Sequence, residues 1–335
     1  MRRSVIHSVT TMTPLRVSLV GGGTDFPAFY KLQNGLVVSM TIQKFIYVTV
    51  KRHSPLFGEK YRISYSETEH VNSLDEIRND IARECIRLVG IEEPLFISTA
   101  SDLPAGSGLG SSSSFAVGLL NALHEFTGDV VSVGQLAEEA CEVEINILHR
   151  PIGKQDQYAA AFGGLNSFKF YDSNRVSIDS ITLNSEGYSL LNDLILIWTG
   201  MSRKAENILQ EQNENISQNL NYLNELYLEA ESLKNIMTEN KLESSNLSTA
   251  LNKNWQLKRK FASGIASKEI DSLYDECMAS GASGGKLLGA GGGGFIMANV
   301  PTTKRIEFLE KMEKYPLIPV SIEHRGTRIL SRVDL

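Results

Sequence analysis

From Asp102 to Phe115 the chain reads Asp-Leu-Pro-Ala-Gly-Ser-Gly-Leu-Gly-Ser-Ser-Ser-Ser-Phe, set between two apolar runs of different character. Leu95 to Ala100 has the length and content of a buried strand, whereas Phe115, Val117, Leu119, Leu120, Leu123 and Phe126 recur at helical spacing. Gly106, Gly108 and Gly110 can take backbone angles closed to other residues and let a ligand approach the main chain. The serines that follow are good N-caps, and the helix they open offers unpaired N–H groups and a positive dipole end. Such a loop is an anion site, with phosphate the usual anion. A flexible Gly/Ser linker would not be bounded so tightly by a strand and a helix. A Rossmann fingerprint needs a third glycine where Ser111 stands, and a Walker loop needs a lysine that this stretch lacks. The sequence predicts a phosphate-cradling loop of another type.

The 335 residues are enough for two domains with proper cores. A formal net charge of -6 argues against a general nucleic-acid binder, which would be basic. Cys85, Cys141 and Cys277 are scattered without metal or redox spacing, which suits a reducing cytoplasm. Met1-Arg-Arg-Ser carries positive charge but no apolar core follows, and no stretch approaches the ~20 apolar residues that a membrane span requires. The expectation is a cytoplasmic protein with no membrane and no nucleic-acid partner.

Thr13 to Asp25 is the second unusual stretch. Leu15, Val17 and Leu19 alternate with Arg16 and Ser18, the pattern of a strand with one polar face, where an arginine is ordinarily solvated. Gly21, Gly22 and Gly23 make a tight exit, and Thr24 or Asp25 is placed to cap a short helix starting near Phe26. Asp25 is either that cap or an acceptor for ligand hydroxyls. Strands are then expected at Leu36–Met40, Phe45–Val50 and Tyr61–Tyr65, followed by a helix from Leu74 to Val89.

A helix predicted from Val133 to Ile147 carries Glu138, Glu139, Glu142 and Glu144, mostly a solvated face. Glu144 stands apart, close before the loop Pro151-Ile-Gly-Lys-Gln-Asp-Gln-Tyr158, in which Asp156 is either a helix N-cap or a working carboxylate. The last glycine cluster runs from Gly281 to Gly294 ahead of a strand at Phe295–Val300. Four consecutive glycines are costly to order, a cost accepted where the backbone must lie against a ligand or another glycine loop. Further strands are expected at Leu194–Trp198 and 317–322, with polar helices over Ala205–Ala262, an α+β pattern.

With these three segments in the expected order, the whole chain resembles the GHMP-superfamily kinases, a group that includes galactokinase, homoserine kinase and mevalonate kinase. The diagnostic Pro-x-x-x-Gly-Leu-Gly-Ser-Ser is Pro104 to Ser112. Thr-Pro-Leu-Arg-Val-Ser, Gly-Gly-Gly-Thr-Asp and Gly-Lys-Gln-Asp-Gln-Tyr-Ala-Ala are most similar to D-glycero-D-manno-heptose 7-phosphate kinases. The resemblance implies an α+β fold of two domains, a β-rich one over 1–180 and a ferredoxin-like one over 181–335, with ATP and sugar between them.

It also implies roles. Pro104, Gly106, Ser107, Gly108, Leu109, Gly110, Ser111, Ser112 and Ser113 would wrap the ATP phosphates, with Ser112 and Glu144 as Mg²⁺ ligands, hard oxygens that this ion prefers. Asp156 would be the general base toward the sugar hydroxyl and Arg16 would stabilise charge developing in transfer. Asp25, Gly22, Gly23, Thr24, Gly291 and Gly292 would face the sugar. Galactokinase has Glu-His where this chain has Gly22-Gly23, a departure that opens room for a larger or already phosphorylated sugar. Lys154 and Arg203 are the expected contacts to a 7-phosphate. The implied activity is phosphorylation of the anomeric hydroxyl of heptose 7-phosphate to the 1,7-bisphosphate, toward nucleotide-activated heptose for bacterial surface glycans. A fucose or galactose kinase and a non-catalytic sugar sensor are the alternatives, and a homodimer is left open.

Overall fold

Two long strands carry the architecture of the computed structural model, which describes residues 5–201, 206–262 and 264–335. β1 (Ile6–Val20) and β2 (Gly35–Arg52) pair antiparallel, with a register shift between Pro14 and Leu15. That irregularity lets β2 run on through Gln43 and Lys44, so the two strands expected at 36–40 and 45–50 are one. Along β2 the partner changes, β5 (Leu95–Ser101) opposite residues 46–52 and β6 (Leu165–Phe170) opposite 35–40. β3 (Tyr61–Ser64) and β4 (Thr68–Val71) extend the sheet beyond β5, and β7 (Val176–Ser180) extends it beyond β6.

Between β1 and β2 lies α1 (Pro27–Tyr30), one turn long. No side chain caps it: Thr24 and Asp25, the expected caps, bond elsewhere. The helix expected over 74–89 is broken into a tight turn at Leu74–Glu76 and α2 (Asp80–Val89), because Asn79 caps α2 by accepting from the Ala82 N–H at 3.0 Å. α3 (Ser111–Thr127) packs on β1 and β2, and Gly118 brings it close enough for Thr11 to donate to the Gly118 carbonyl at 2.8 Å. α4 (Val133–Cys141) widens into a π-helical stretch over Glu142–Ile147. The expected continuous α-helix therefore ends at Cys141, and α5 (Gln155–Phe162) follows.

A second sheet has the order β11 (Leu317–Pro319), β8 (Leu194–Trp198), β10 (Phe295–Asn299), β9 (Gly284–Leu287), all antiparallel. Taken in chain order, β8, β9, β10 and β11 occupy the spatial order fourth, first, third, second, the ferredoxin-like arrangement. β9 was not foreseen, and the strand expected to reach 322 stops at Pro319. α6 (Ser185–Asn192) leads into β8. The polar helical region resolves into α7 (Glu206–Glu214), α8 (Leu220–Thr238) and α9 (Ser244–Lys258). α10 (Lys268–Ala279) and α11 (Arg305–Lys311) complete the cover. Finally β12 (Arg328–Asp334) returns to the large sheet and pairs with β1 from Ile6↔Asp334 to Met12↔Arg328, so residues expected in the C-terminal domain close the N-terminal sheet.

Candidate active site

The two-residue period of β1 sorts its side chains between core and cavity. Leu15, Val17 and Leu19 are fully buried in the core, while Arg16 and Ser18 turn to a cavity of ≈ 280 Å³. Arg16, expected on a solvated face, is instead 5% exposed and grips Asp156 as a fork, Nε to Oδ1 at 2.7 Å and Nη2 to Oδ2 at 2.6 Å. Its third arm donates to the Gly108 carbonyl at 2.7 Å, and its backbone N–H donates to the Leu109 carbonyl at 3.1 Å. Asp156 sits in the first turn of α5 and makes no capping bond, which removes the N-cap reading. Gly110, with φ +78, is the N-cap position of α3, and a side chain there would press on Arg16 and Asp156. The serines expected as caps form the first turn instead.

Asp25 lies beside this pair and is almost wholly buried. Its carboxylate accepts from the Gly23 N–H at 2.9 Å and the Gln155 N–H at 3.2 Å. Burial pushes its carboxyl above the ordinary range; the Gly23 bond opposes the rise and the nearby Asp156 adds to it. Gly22 and Gly23 line the same cavity.

Glu144, on the π-helical stretch, has no exposed surface. It accepts from the Ser112 hydroxyl at 2.6 Å and from the Gln157 amide at 2.8 Å. Burial raises its carboxyl, opposed by Ser112, Ser113, the Arg150 guanidinium and Gln157. Arg150 donates to Ser112 Oγ at 2.8 Å and to Asp80 at 2.9 Å, spanning from the glycine loop to α2. The widened turn explains why a residue in an acidic run points inward.

The third glycine cluster meets the first loop rather than open space. A Cβ on Gly289 would stand 2.4 Å from Gly108 Cα, and one on Gly294 would stand 2.5 Å from the Ser107 carbonyl oxygen. Gly289 and Ala290 reach the cavity, but Gly291 and Gly292, expected at the sugar, pack on Ile265. Lys258, Lys286 and Gln212 line the cavity from the second sheet's side and are absent from the expected site residues: nothing in the local sequence marks Lys258 or Gln212, and in the last glycine cluster the glycines, not Lys286, carry the signal. Burial and then the Arg16 charge hold the Lys258 ammonium down at about 8.

Of the remaining expected site residues, Gly106, Ser107, Ser111 and Ser113 line the cavity, whereas Pro104 and Leu109 do not. Thr24 is buried; its hydroxyl donates to the Gly21 carbonyl at 2.8 Å and accepts from the Leu36 N–H at 3.0 Å, a bond set that fixes the turn. Lys154 is turned away from the cavity, with Nζ 3.4 Å from the Asn174 carbonyl and 3.6 Å from Glu138. Its position at the start of α5 sends it to the far side of the loop. Arg203 lies outside the described residues. Among the described residues no helix is long and apolar enough to cross a membrane.

The family described as "GHMP kinases N terminal domain" matches residues 76–164, and "GHMP kinases C terminal" matches 241–316. A D-glycero-alpha-D-manno-heptose 7-phosphate kinase of Campylobacter jejuni is 31% identical over 92% of this chain and 94% of its own. A galactokinase of Pyrococcus furiosus is 24% identical over 89% and 91%. Among solved structures, a D-glycero-D-manno-heptose 1-phosphate kinase from Bacteroides thetaiotaomicron superposes with a TM-score of 0.78 at 24% identity, covering 96% of this chain and 99% of that one. The chain belongs to the GHMP kinases and is an ATP-dependent phosphotransferase with an alcohol group as acceptor.

Proposed function

We propose that the protein phosphorylates the anomeric hydroxyl of D-glycero-D-manno-heptose 7-phosphate, yielding the 1,7-bisphosphate. The observation that carries this reading is the Arg16–Asp156 fork, set at the cavity wall beside the glycine loop. Each Asp156 oxygen keeps a lone pair beyond the one given to Arg16, so the carboxylate can accept the hydroxyl proton while held in place. The freed sugar oxygen then bonds to the γ-phosphorus, and the bond to the bridging oxygen of ADP breaks. Arg16 offsets the negative charge that spreads over the phosphoryl oxygens. Gly106 to Ser113 would cradle the phosphates, and Asp25 with Gly22 and Gly23 would border the sugar.

The donor set suits Mg²⁺, because Ser112 Oγ and a Glu144 oxygen are hard donors already 2.6 Å apart. Bound with phosphate oxygens, the ion would neutralise phosphate charge there. Residues 1–180 and 181–335 are proposed as the two domains, with 328–334 crossing back to the first sheet.

The heptose phosphate is favoured by the C. jejuni relative and by the opened Gly22-Gly23 corner. A galactose or fucose acceptor is the second reading, since a galactokinase and an L-fucokinase/L-fucose-1-P guanylyltransferase are also similar. The test is turnover of heptose 7-phosphate, free heptose, galactose and fucose with MgATP, with products assigned by phosphorus NMR. Equal efficiency on an unphosphorylated sugar would end the heptose phosphate reading. Asp156→Asn is expected to lower turnover by roughly 10²-fold or more while ATP still binds.

A further inference from the structure

Lys258, at the last turn of α9, and Lys286, in β9, come from the second sheet's half and both line the cavity. Lys286 is 2% exposed, and among the described residues its Nζ donates to a single acceptor, the Leu19 carbonyl, at 3.1 Å. Lys258 donates to the Gly289 carbonyl. Among the described residues neither ammonium forms an ion pair with a carboxylate; Arg16, a third cation, disfavours the charge on both, and the more distant Asp25 and Asp156 favour it on Lys258 without offsetting burial. An ammonium carries three donors, so each has more donors than partners. Withdrawing unpaired cations from water and gathering them against one another is unfavourable unless something anionic completes them. Among the described residues Ser18 Oγ and Ser107 Oγ are buried without hydrogen-bond partners and also line the cavity.

We propose that Lys258 and Lys286 form a phosphate-binding subsite beside the glycine loop, which takes a phosphate dianion on the second sheet's side of the cavity. The lowered proton affinities of both lysines accord with this, since a dianion restores the charged form that burial disfavours. The dianion has two sources: the γ-phosphoryl group of ATP, or a phosphate already on the acceptor. With Lys154 turned away, buried Lys286 and half-buried Lys258 are lysines that line the cavity beside Arg16. The acceptor source rests on the proposed heptose phosphate reading; the nucleotide source does not.

Calorimetric titration of full-length Lys258→Met and Lys286→Met separates the sources. If the subsite holds the γ-phosphoryl group, affinity for a Mg²⁺-bound β,γ-imido ATP analogue falls roughly tenfold or more while MgADP binds as before. If it holds the acceptor's phosphate, heptose 7-phosphate loses that factor and both nucleotides are unaffected. Lys286→Met is the variant at greater risk of misfolding, so wild-type protein supplies a second measurement. Trace acetylation read by mass spectrometry should show Lys258 reacting more slowly in inorganic phosphate than in chloride of equal ionic strength, with exposed Lys241 unchanged. Failure of wild type to bind heptose 7-phosphate would remove the acceptor source but leave the nucleotide and labelling measurements decisive. Unchanged affinity of Lys258→Met for every phosphate ligand, with no protection by phosphate, would overturn the subsite.

Discussion

Gly153→Ala is the smallest substitution with a large expected effect. A Cβ there would lie 1.9 Å from Asp25 Oδ2 and 2.3 Å from its Cγ. To reach the 3.4 Å of ordinary contact the carboxylate must retreat by 3.4 − 1.9 = 1.5 Å. That movement breaks the bonds from Gly23 and Gln155, at 2.9 and 3.2 Å. Each hydrogen bond to a charged group contributes roughly 1.5–3 kcal/mol, so the loss is about 3 kcal/mol at the lower end. Gly153 is not among the glycines with positive φ, so alanine meets no backbone strain and gains about 0.4–1 kcal/mol from a less flexible unfolded chain. The net expectation is a loss of about 2–3 kcal/mol, or a melting temperature lowered by roughly 5 °C. The assay is a double-mutant cycle read by thermal melting, with Gly153→Ala made in wild type and in Asp25→Ala. Coupling of about 2 kcal/mol is expected, because the second background has no carboxylate to displace. An equal loss in both backgrounds would refute the clash as its cause.

Ser112→Ala and Glu144→Gln should both raise the Mg²⁺ concentration giving half activity, Glu144→Gln more strongly because it removes a charge; an unchanged metal titration would dismiss both residues as ligands. Lys258, held near 8 when folded against 10.5 ordinarily, leaves the unfolded chain binding more protons between those values, so it makes stability rise with pH across that window. Urea unfolding at about pH 7.5 and about pH 9.5 should show a less favourable change for Lys258→Met than for wild type. Gly118→Val overpacks the α3–β1 contact, where even a Cβ would stand 2.6 Å from Thr13 Oγ1, and should cost about 1–3 kcal/mol in the same unfolding experiment.

The legible parts of the molecule were those in which chemistry is local. A glycine run announces a close approach wherever it falls, and of the two expectations for the third cluster, a ligand or another glycine loop, the Gly108–Gly289 contact matches the second. Alternation in β1 identified the face that carries Arg16, but not that this face is buried, because its partner Asp156 is 140 residues away. Glu144 could not be told from Glu142 by helical spacing, since the wider turn that buries one and exposes the other departs from that spacing. Lys154 shows the converse: nearness in sequence to Asp156 suggested nearness to the ligand, and one turn of backbone sent it the other way. Lys258 sits in a stretch without any motif of its own and Lys286 inside the last glycine cluster, and only the packing of α9 and β9 brings them to one cavity.

The seam between Gly108 and Gly289, and between Ser107 and Gly294, has a consequence for how such a sequence can change. Most tight contacts can be repaired from either side, because enlarging one residue is offset by trimming its neighbour. Here the neighbour of Gly289 is itself a glycine, and the neighbour of Gly294 is a backbone carbonyl, so neither side holds anything left to trim. A selection for restored activity starting from Gly289→Ala should therefore return true revertants rather than compensating changes across the seam. The two loops are bound to a single solution, and drift in the halves that carry them has to leave this line of backbone untouched.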